Sequence, residues 1–318
     1  MDTAGVAPSM PSIFWIIYVL ISKRLWSNAY LLLTLTALFW GGNAVASRLA
    51  VGEISPMMLT GLRWVFVCVL LTPFYISGLR EARPTLMRRP WRMTAMAVLG
   101  FTGFNLLMYV GAHYTTAVNI GLLQGSIPAI VFLGVWLVYR IPVTLLQAAG
   151  VAVTMVGIGI VATNGSLNAL MSLSLNRGDV MMFAAGAFYA AYAVMLRDRP
   201  QVPGIVFFIA MAWVACIASI PMVGIEIALG QAQWPTVKGW ALLAFITVFP
   251  SLLAQIFFIR GIELIGPGRG SLFVNLVPVM AAILAVVVLR EPFGWSHAVA
   301  LALVLGGIAL AERQRGAA

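Results

Sequence analysis

Ten stretches of predominantly apolar residues run along the chain, separated by short polar connections. They are Asn28–Ala50, Ser55–Gly78, Met93–His113, Ala117–Val138, Thr144–Ala162, Asp179–Leu196, Pro203–Val223, Trp240–Arg260, Gly270–Leu289 and Trp295–Ala311. A helical residue adds about 1.5 Å and a hydrocarbon core is ~30 Å thick, so ~20 apolar residues cross it. Unpaired backbone groups in lipid cost several kcal/mol each, which leaves helices as the open-chain solution. The ten-residue apolar/polar alternation of a transmembrane barrel is absent. The pattern predicts an all-α polytopic membrane protein of ten transmembrane helices, with consecutive helices antiparallel and no soluble domain. Residues 1–27 read as an N-terminal extension. Its apolar part, Ile13–Ser22, is too short to span and lacks the flanks of a signal peptide, so a short interfacial helix is expected there.

Composition agrees with the pattern. Hydrophobic residues make up 62% of the chain and charged residues 9%, against about 25% charged in soluble domains. The net charge of +10 would suggest nucleic acid in a soluble protein, but here it marks membrane orientation. Of the 19 basic residues, Arg48, Arg177, Lys238 and Arg290 fall on one side and Arg63 within a span, leaving fourteen on the other side. Basic loops stay cytoplasmic, so both termini are expected inside a bacterial inner membrane. Cys68 and Cys216 lie within spans, far apart in sequence, and read as packing thiols. Neither clustered metal ligands nor a cofactor motif is present. The expected partners are the lipid bilayer and a small solute, with no nucleic acid, in a monomer or homodimer.

The two halves match at a nearly constant offset. Phe39-Trp40, Val45 and Arg48 correspond to Phe188-Tyr189, Val194 and Arg197 at an offset of 149. Gly111, Leu122, Pro128, Arg140, Pro142 and Gly157 correspond to Gly261, Leu272, Pro278, Arg290, Pro292 and Gly307 at 150. Repeats of about 28–165 and 166–318 follow. Five helices per repeat is an odd number, so the second copy enters the membrane from the opposite side. Inverted-topology repeats are an architecture of alternating access, with solute held near the midplane.

The residues also carry a family resemblance. Ala37-Leu-Phe-Trp-Gly-Gly-Asn-Ala-Val-Ala-Ser-Arg48 resembles the opening helix of EamA-type exporters of the drug/metabolite transporter superfamily. Ser55-Pro56 with Leu62-Arg63-Trp64 is similar to the start of their second helix, and Ala112-His-Tyr-Thr-Thr-Ala117 with Pro128 to their third-to-fourth junction. Gly178-Asp179 with Phe188-Tyr189-Ala190 resembles the opening of their second repeat. The resemblance covers about residues 28–315. It implies ten helices in two inverted repeats and export of amino acids, other metabolites or toxic organic compounds. Family members often end the fourth helix of each repeat with Glu; Glu291 fits, whereas Ile141 stands in the first repeat.

Polar residues deep in a span need a partner or a cavity. Asn105 and Gln255 are both amides, offset by 150 near the middle of the third helix of each repeat. They are candidate solute ligands, or else interhelical glue. Trp40 with Tyr189 and Asn43 with Tyr192 form a second symmetric set, suited to an apolar or aromatic solute or to core packing. Gln124 and Asn275 lie one position apart in repeat register. Pro128 and Pro278 free the carbonyls of Gln124 and Val274 from the helical ladder, which is tolerated beside a cavity or in a static kink. Gly121-x-x-x-Gly125 reads as close helix packing. Arg63, about 12 Å inside its span, either snorkels to the outer surface or pairs with a carboxylate solute. His113 and Tyr114, at the outer end of the third span, either line the mouth of the pathway or sit at the interface.

Enzyme readings find little support: a nucleotide-binding P-loop and H-E-x-x-H are absent, and two histidines with no intramembrane Asp leave little for a triad. The nine acids all fall in loops, tails or end turns, which favours facilitated export or exchange over a proton relay. A sugar or nucleotide-sugar carrier is the alternative within transport, and a channel or membrane enzyme lies further off. Few basic residues approach the pathway, which weighs against phosphorylated solutes.

Overall fold

The computed structural model describes residues 23–141, 144–163, 165–166, 176–266, 269–270 and 272–312. Ile13–Ser22, Pro142, Arg313 and Arg315 lie outside them. The described residues contain helices and no strand. The long helices are α1 (Ala29–Leu49), α2 (Pro56–Leu86), α3 (Pro90–Gly111), α4 (Ala117–Tyr139), α5 (Leu145–Ala162), α6 (Arg177–Met195), α7 (Gly204–Ala228), α8 (Val237–Ile265), α9 (Leu272–Leu289) and α10 (Trp295–Glu312). The first nine are long and apolar enough to cross a bilayer, and the apolar part of α10, Trp295–Ala311, is a shorter tenth. Val69, Leu145, Ile220 and Val287 are exposed, as lipid-facing positions should be.

Local chemistry sets the helix ends. Asn28, Thr116, Thr144, Asn176 and Thr236 each accept a backbone N–H in the first turn of the helix that follows. The paired Arg140 and Arg290 adopt left-handed conformations at the ends of α4 and α9, with φ of 55° and 54°, so that sequence match is also a match of caps. Helix α2 runs past Gly78 to Leu86, with non-helical backbone at Tyr75 two residues after Pro73. The extension is amphipathic, with Ala82 and Leu86 buried and Arg80, Glu81 and Arg83 exposed, which an apolar window misses.

Packing follows the inverted repeat. Helix α1 packs on α8 and α9, and its counterpart α6 packs on α3 and α4. The equivalent helices α2 and α7, α4 and α9, and α5 and α10 pair with each other. Between α5 and α10 the contact is made by glycine: a Cβ at Gly150 would meet the backbone of Gly307 and Ala311, and one at Gly307 the backbone of Gly150 and Thr154. Gly121 abuts Ala281 and Gly125 abuts Val304, so the Gly121-x-x-x-Gly125 stripe packs α4 against α9 and α10. The buried apolar residues form two clusters. One, with Leu71, Met93 and Phe208, lies toward the ends of the spans that carry the basic loops, and the other, with Ile54, Ala112 and Leu243, toward the opposite ends.

Candidate functional site

The third helix of each repeat is not α-helical throughout. Val98–Gly103 in α3 and Thr247–Leu253 in α8 are π-helical, at the repeat offset. A π segment opens the ladder by one residue and is frequent at functional sites. Gly100 and Gly103 let α3 press onto α6, since a Cβ at either would overlap Tyr192 or Phe188. In α8, Pro250 lacks an N–H to donate, and Ser251 Oγ donates to the Ile246 carbonyl at 2.5 Å. The fourth helices are interrupted as well. Helix α4 breaks after Gln124 and restarts at Ile127, while α9 begins as a 3-10 turn, Leu272–Leu276, before Val277. Pro128 and Pro278 therefore stand at the second position of a new helical segment, where a missing N–H costs little, rather than inside a continuous kinked helix.

These irregular segments surround a cavity of about 510 Å³. Trp40, Asn43, Arg63 and Asn105 line it from the first repeat with Gln124 and Pro128, and Tyr189, Tyr192, Gln255, Asn275 and Pro278 from the second. Its walls extend from this level to Arg199, Gly204 and Glu263, at the ends of spans on the side of the basic loops. Tyr114 stands apart. It is 51% exposed and lines a smaller pocket of about 270 Å³ at the opposite end with Arg48, His113, Asn119 and His297.

Arg63 does not snorkel. It is 5% exposed; Nε donates to Ser251 Oγ at 2.7 Å, and Nη1 donates to Tyr109 Oη at 2.6 Å and to Asn105 Oδ1. Its Cζ lies 4.9 Å from the centre of the Trp64 ring. Asn105 is thus committed to Arg63 and, through Nδ2, to the Phe101 carbonyl at 2.6 Å. Trp40 Nε1 donates to the Pro250 carbonyl at 3.1 Å, tying α1 to the π segment of α8. Asn43 Nδ2 donates to Met108 Sδ at 3.8 Å, and its Oδ1 is buried with no partner among the described residues. Aromatic contacts complete the wall, with ring centres 5.1 Å apart for Phe104–Tyr189, 5.4 Å for Tyr189–Tyr192 and 5.2 Å for Trp40–Phe258. Sequence reasoning missed Trp64, Phe101, Phe104, Tyr109, Ser251 and Phe258. The signal available for Ser251 was Pro250-Ser251, a proline and a hydroxyl adjacent within one apolar span.

The opposite end is closed by hydrogen bonds between helices. Arg48 Nη1 donates to the Ala112 carbonyl at 2.6 Å. Glu291 accepts the N–H groups of Ala117 and Val118, both at 2.9 Å, and so caps α4. Glu226, buried at the end of α7, accepts from Ser55 Oγ at 2.7 Å and from the N–H groups of Met57 and Met58 at 3.1 and 2.9 Å, capping α2. Carboxylates are stabilised at helix N-termini by the unpaired N–H groups and the dipole. Asp179 accepts from Thr115 Oγ1 at 2.5 Å and from Asn119 Nδ2 at 3.3 Å. Burial and the nearby Arg48 hold the His113 pKa below its ordinary value. On the basic side, Asp198 joins Arg92 at 3.2 Å and Tyr139 at 2.9 Å.

Comparison with known proteins gives this architecture a family. The profile of the EamA-like transporter family matches residues 27–163 and, a second time, 176–312. The chain is 25% identical over 291 residues to an uncharacterized transporter, YyaM, of Bacillus subtilis (strain 168), covering 90% of this chain and 93% of that one. It is 24% identical over 293 residues to an uncharacterized transporter of Archaeoglobus fulgidus, covering 89% and 97%. A solved crystal structure superposes with a TM-score of 0.61 at 19% identity, covering 89% of this chain and 96% of that one, which shows the same fold. With two matched repeats, ten apolar helices and a cavity lined by both repeats, the chain belongs to the EamA-like transporter family, a membrane transporter of the drug/metabolite type.

Proposed function

We propose that this chain exports amino acids or similar small metabolites across a bacterial inner membrane by alternating access. The observation that carries the reading is the cavity: equivalent helices of both repeats line it, it extends toward the basic ends of the spans, and hydrogen bonds close the other end. With the basic loops cytoplasmic, this is the inward-facing state, ready to load. The chain is a carrier and not an enzyme, built as repeats of about 28–165 and 166–318 after an N-terminal extension. The solute touches Trp40, Asn43, Arg63, Asn105, Gln124, Tyr189, Tyr192, Gln255 and Asn275. Exchange of the two repeats' conformations opens the far side.

Energy comes from the solute's own electrochemical gradient. Glu263 is the only carboxylate lining the cavity among the described residues, and it stands at the basic end paired with Arg260 at 3.2 Å. A proton relay would need a carboxylate or imidazole at depth. Flux in proteoliposomes tests the whole reading. Saturable uptake that accelerates with counter-solute and ignores a pH gradient is expected. Linear, non-saturating flux would indicate a channel, and uphill accumulation driven by an imposed pH gradient with the membrane potential clamped at zero would overturn the energetics.

A further inference from the structure

Arg63 is a buried cation whose three bonded partners are neutral. The guanidinium has five N–H donors: Nε is spent on Ser251, and both Nη1 hydrogens on Asn105 and Tyr109. Nη2 has no partner among the described residues and is left unpaired beside the cavity that Arg63 lines. The ion pairs among the described residues are Arg92–Asp198, Lys238–Glu53 and Arg260–Glu263. None supplies Arg63 with a counter-charge. A cation held at this depth by neutral groups alone is costly, and an anion brought by the solute would offset that cost.

The charge is also one-sided. At the repeat offsets of 149 and 150 the counterparts of Arg63 are Ala212 and Trp213; Trp213 is 42% exposed and donates to Thr72 Oγ1 at 2.9 Å, away from the cavity. The other charged residues lining the cavity, Arg199 and Glu263, stand at its basic end. Among the described residues no acid lines the cavity at the depth of Arg63 to receive an ammonium. Trp40, Phe104, Tyr189 and Phe258 line the same cavity and give it an aromatic wall suited to an apolar body.

Resting on the reading of this cavity as the solute site, we propose that Arg63 is a carboxylate receptor. On that basis the cavity takes, among such small metabolites, carboxylates with an apolar or aromatic body: monoanionic organic acids first, amino-acid zwitterions after them and cations last. The solute carboxylate meets the free Nη2 edge and the body lies against the rings. Gln255, across the repeat axis, has no partner among the described residues and reads any uncharged polar group on the tail.

The test uses one carbon skeleton in several charge states: 3-phenylpropanoate, L-phenylalanine, 3-phenylpropanamide and 2-phenylethylamine. Binding is read by thermal shift on the purified full chain, and transport by counterflow in proteoliposomes. The anion should bind roughly tenfold or more tightly than the amide or the amine, the scale of one lost charge-assisted contact, with the zwitterion between. Arg63→Gln should level the series. Arg63→Lys, which keeps the charge but not the fork, should keep the order with weaker affinity, and it reports on the charge even where Arg63→Gln fails to fold. Equal carriage of all four compounds would leave the carrier reading standing and overturn the receptor, as would an unchanged ranking in a folded Arg63→Gln variant. A chain that neither binds nor carries any of the four would overturn both.

Discussion

Arg48 at the end of α1 donates to the carbonyl of Ala112 at the end of α3, 2.6 Å away, while its repeat counterpart Arg197 stacks on Tyr139 with Cζ 4.9 Å from the ring centre. The counterpart of Ala112 is Ile262, which lines the open end of the cavity. Equivalent residues thus occupy two conformations, one bonded and one released, the asymmetry that the proposed alternating access between inverted repeats calls for.

Breaking the sealed contact should favour the other state. In a background lacking Cys68 and Cys216, a single cysteine at Gln124 is expected to react with a membrane-impermeant reagent from the basic side. Adding Arg48→Ala should raise its labelling from the Lys238 side several-fold. Labelling that stays confined to the basic side would mean that the Arg48 contact does not gate the pathway.

The two carboxylate caps differ from the cavity residues in what they should control. Glu226→Ala removes an acceptor from three donors at the start of α2, and Glu291→Ala from two at the start of α4. Bonds to charged groups are worth about 1.5–3 kcal/mol each, so each variant should melt several degrees lower. Affinity for solute, measured at low temperature, should hardly change. A loss of affinity with unchanged melting would assign these acids to the solute instead.

Asn105 and Gln255 are equivalent in sequence and unequal in structure. Asn105→Ala removes an acceptor from buried Arg63 and should cost about 1–3 kcal/mol of stability as well as transport. Gln255→Ala removes a side chain with no bonded partner among the described residues, so it should lower transport several-fold and leave melting within about 0.5 kcal/mol of the parent. Equal destabilisation by both would make the amides packing elements.

His113 is expected to stay neutral at physiological pH. Burial and then the positive field of Arg48 lower its pKa from 6.5. A lowered folded value means that the unfolded chain takes up the proton first. Stability is therefore unaffected above about pH 6.5 and declines as pH falls from there through the folded pKa. Transport should be flat between pH 6.5 and 8, and His113→Gln should match the parent across that range. A sigmoidal rate profile centred near 7, lost in His113→Gln, would restore a proton role.

Much of this was legible because membrane depth makes polarity conspicuous. Asn43, Asn105, Gln124, Gln255 and Asn275 are isolated polar residues in apolar spans, and all line one cavity. The repeat offset pairs Asn105 with Gln255 and Asn43 with Tyr192, and it leaves Gln124 and Asn275 one position apart. Tyr114 differs because it lies just past the end of α3, where a polar aromatic suits an interface as well as a pathway. The roles of Glu226, Ser251 and Tyr109 were hidden because each depends on a partner in a distant helix. The π segments were hidden because a single extra residue per turn leaves the apolar run unchanged. Arg63 was visible as an anomaly, yet only packing distinguishes a buried guanidinium from a snorkelling one.

The unpaired charge on Arg63 also ties the cycle to voltage. An anion bound at Nη2 would neutralise the site, so the loaded carrier would cross the field as a neutral body and the empty one as a cation. Moving a full charge through 100 mV is worth about 2.3 kcal/mol, and the site experiences whatever fraction of the field falls across its displacement. An inside-negative potential would then draw the empty site back toward the cytoplasm after each release. Export would be electrogenic, carrying negative charge outward, and a cell could empty itself of an acid against a modest concentration gradient by spending its resting potential.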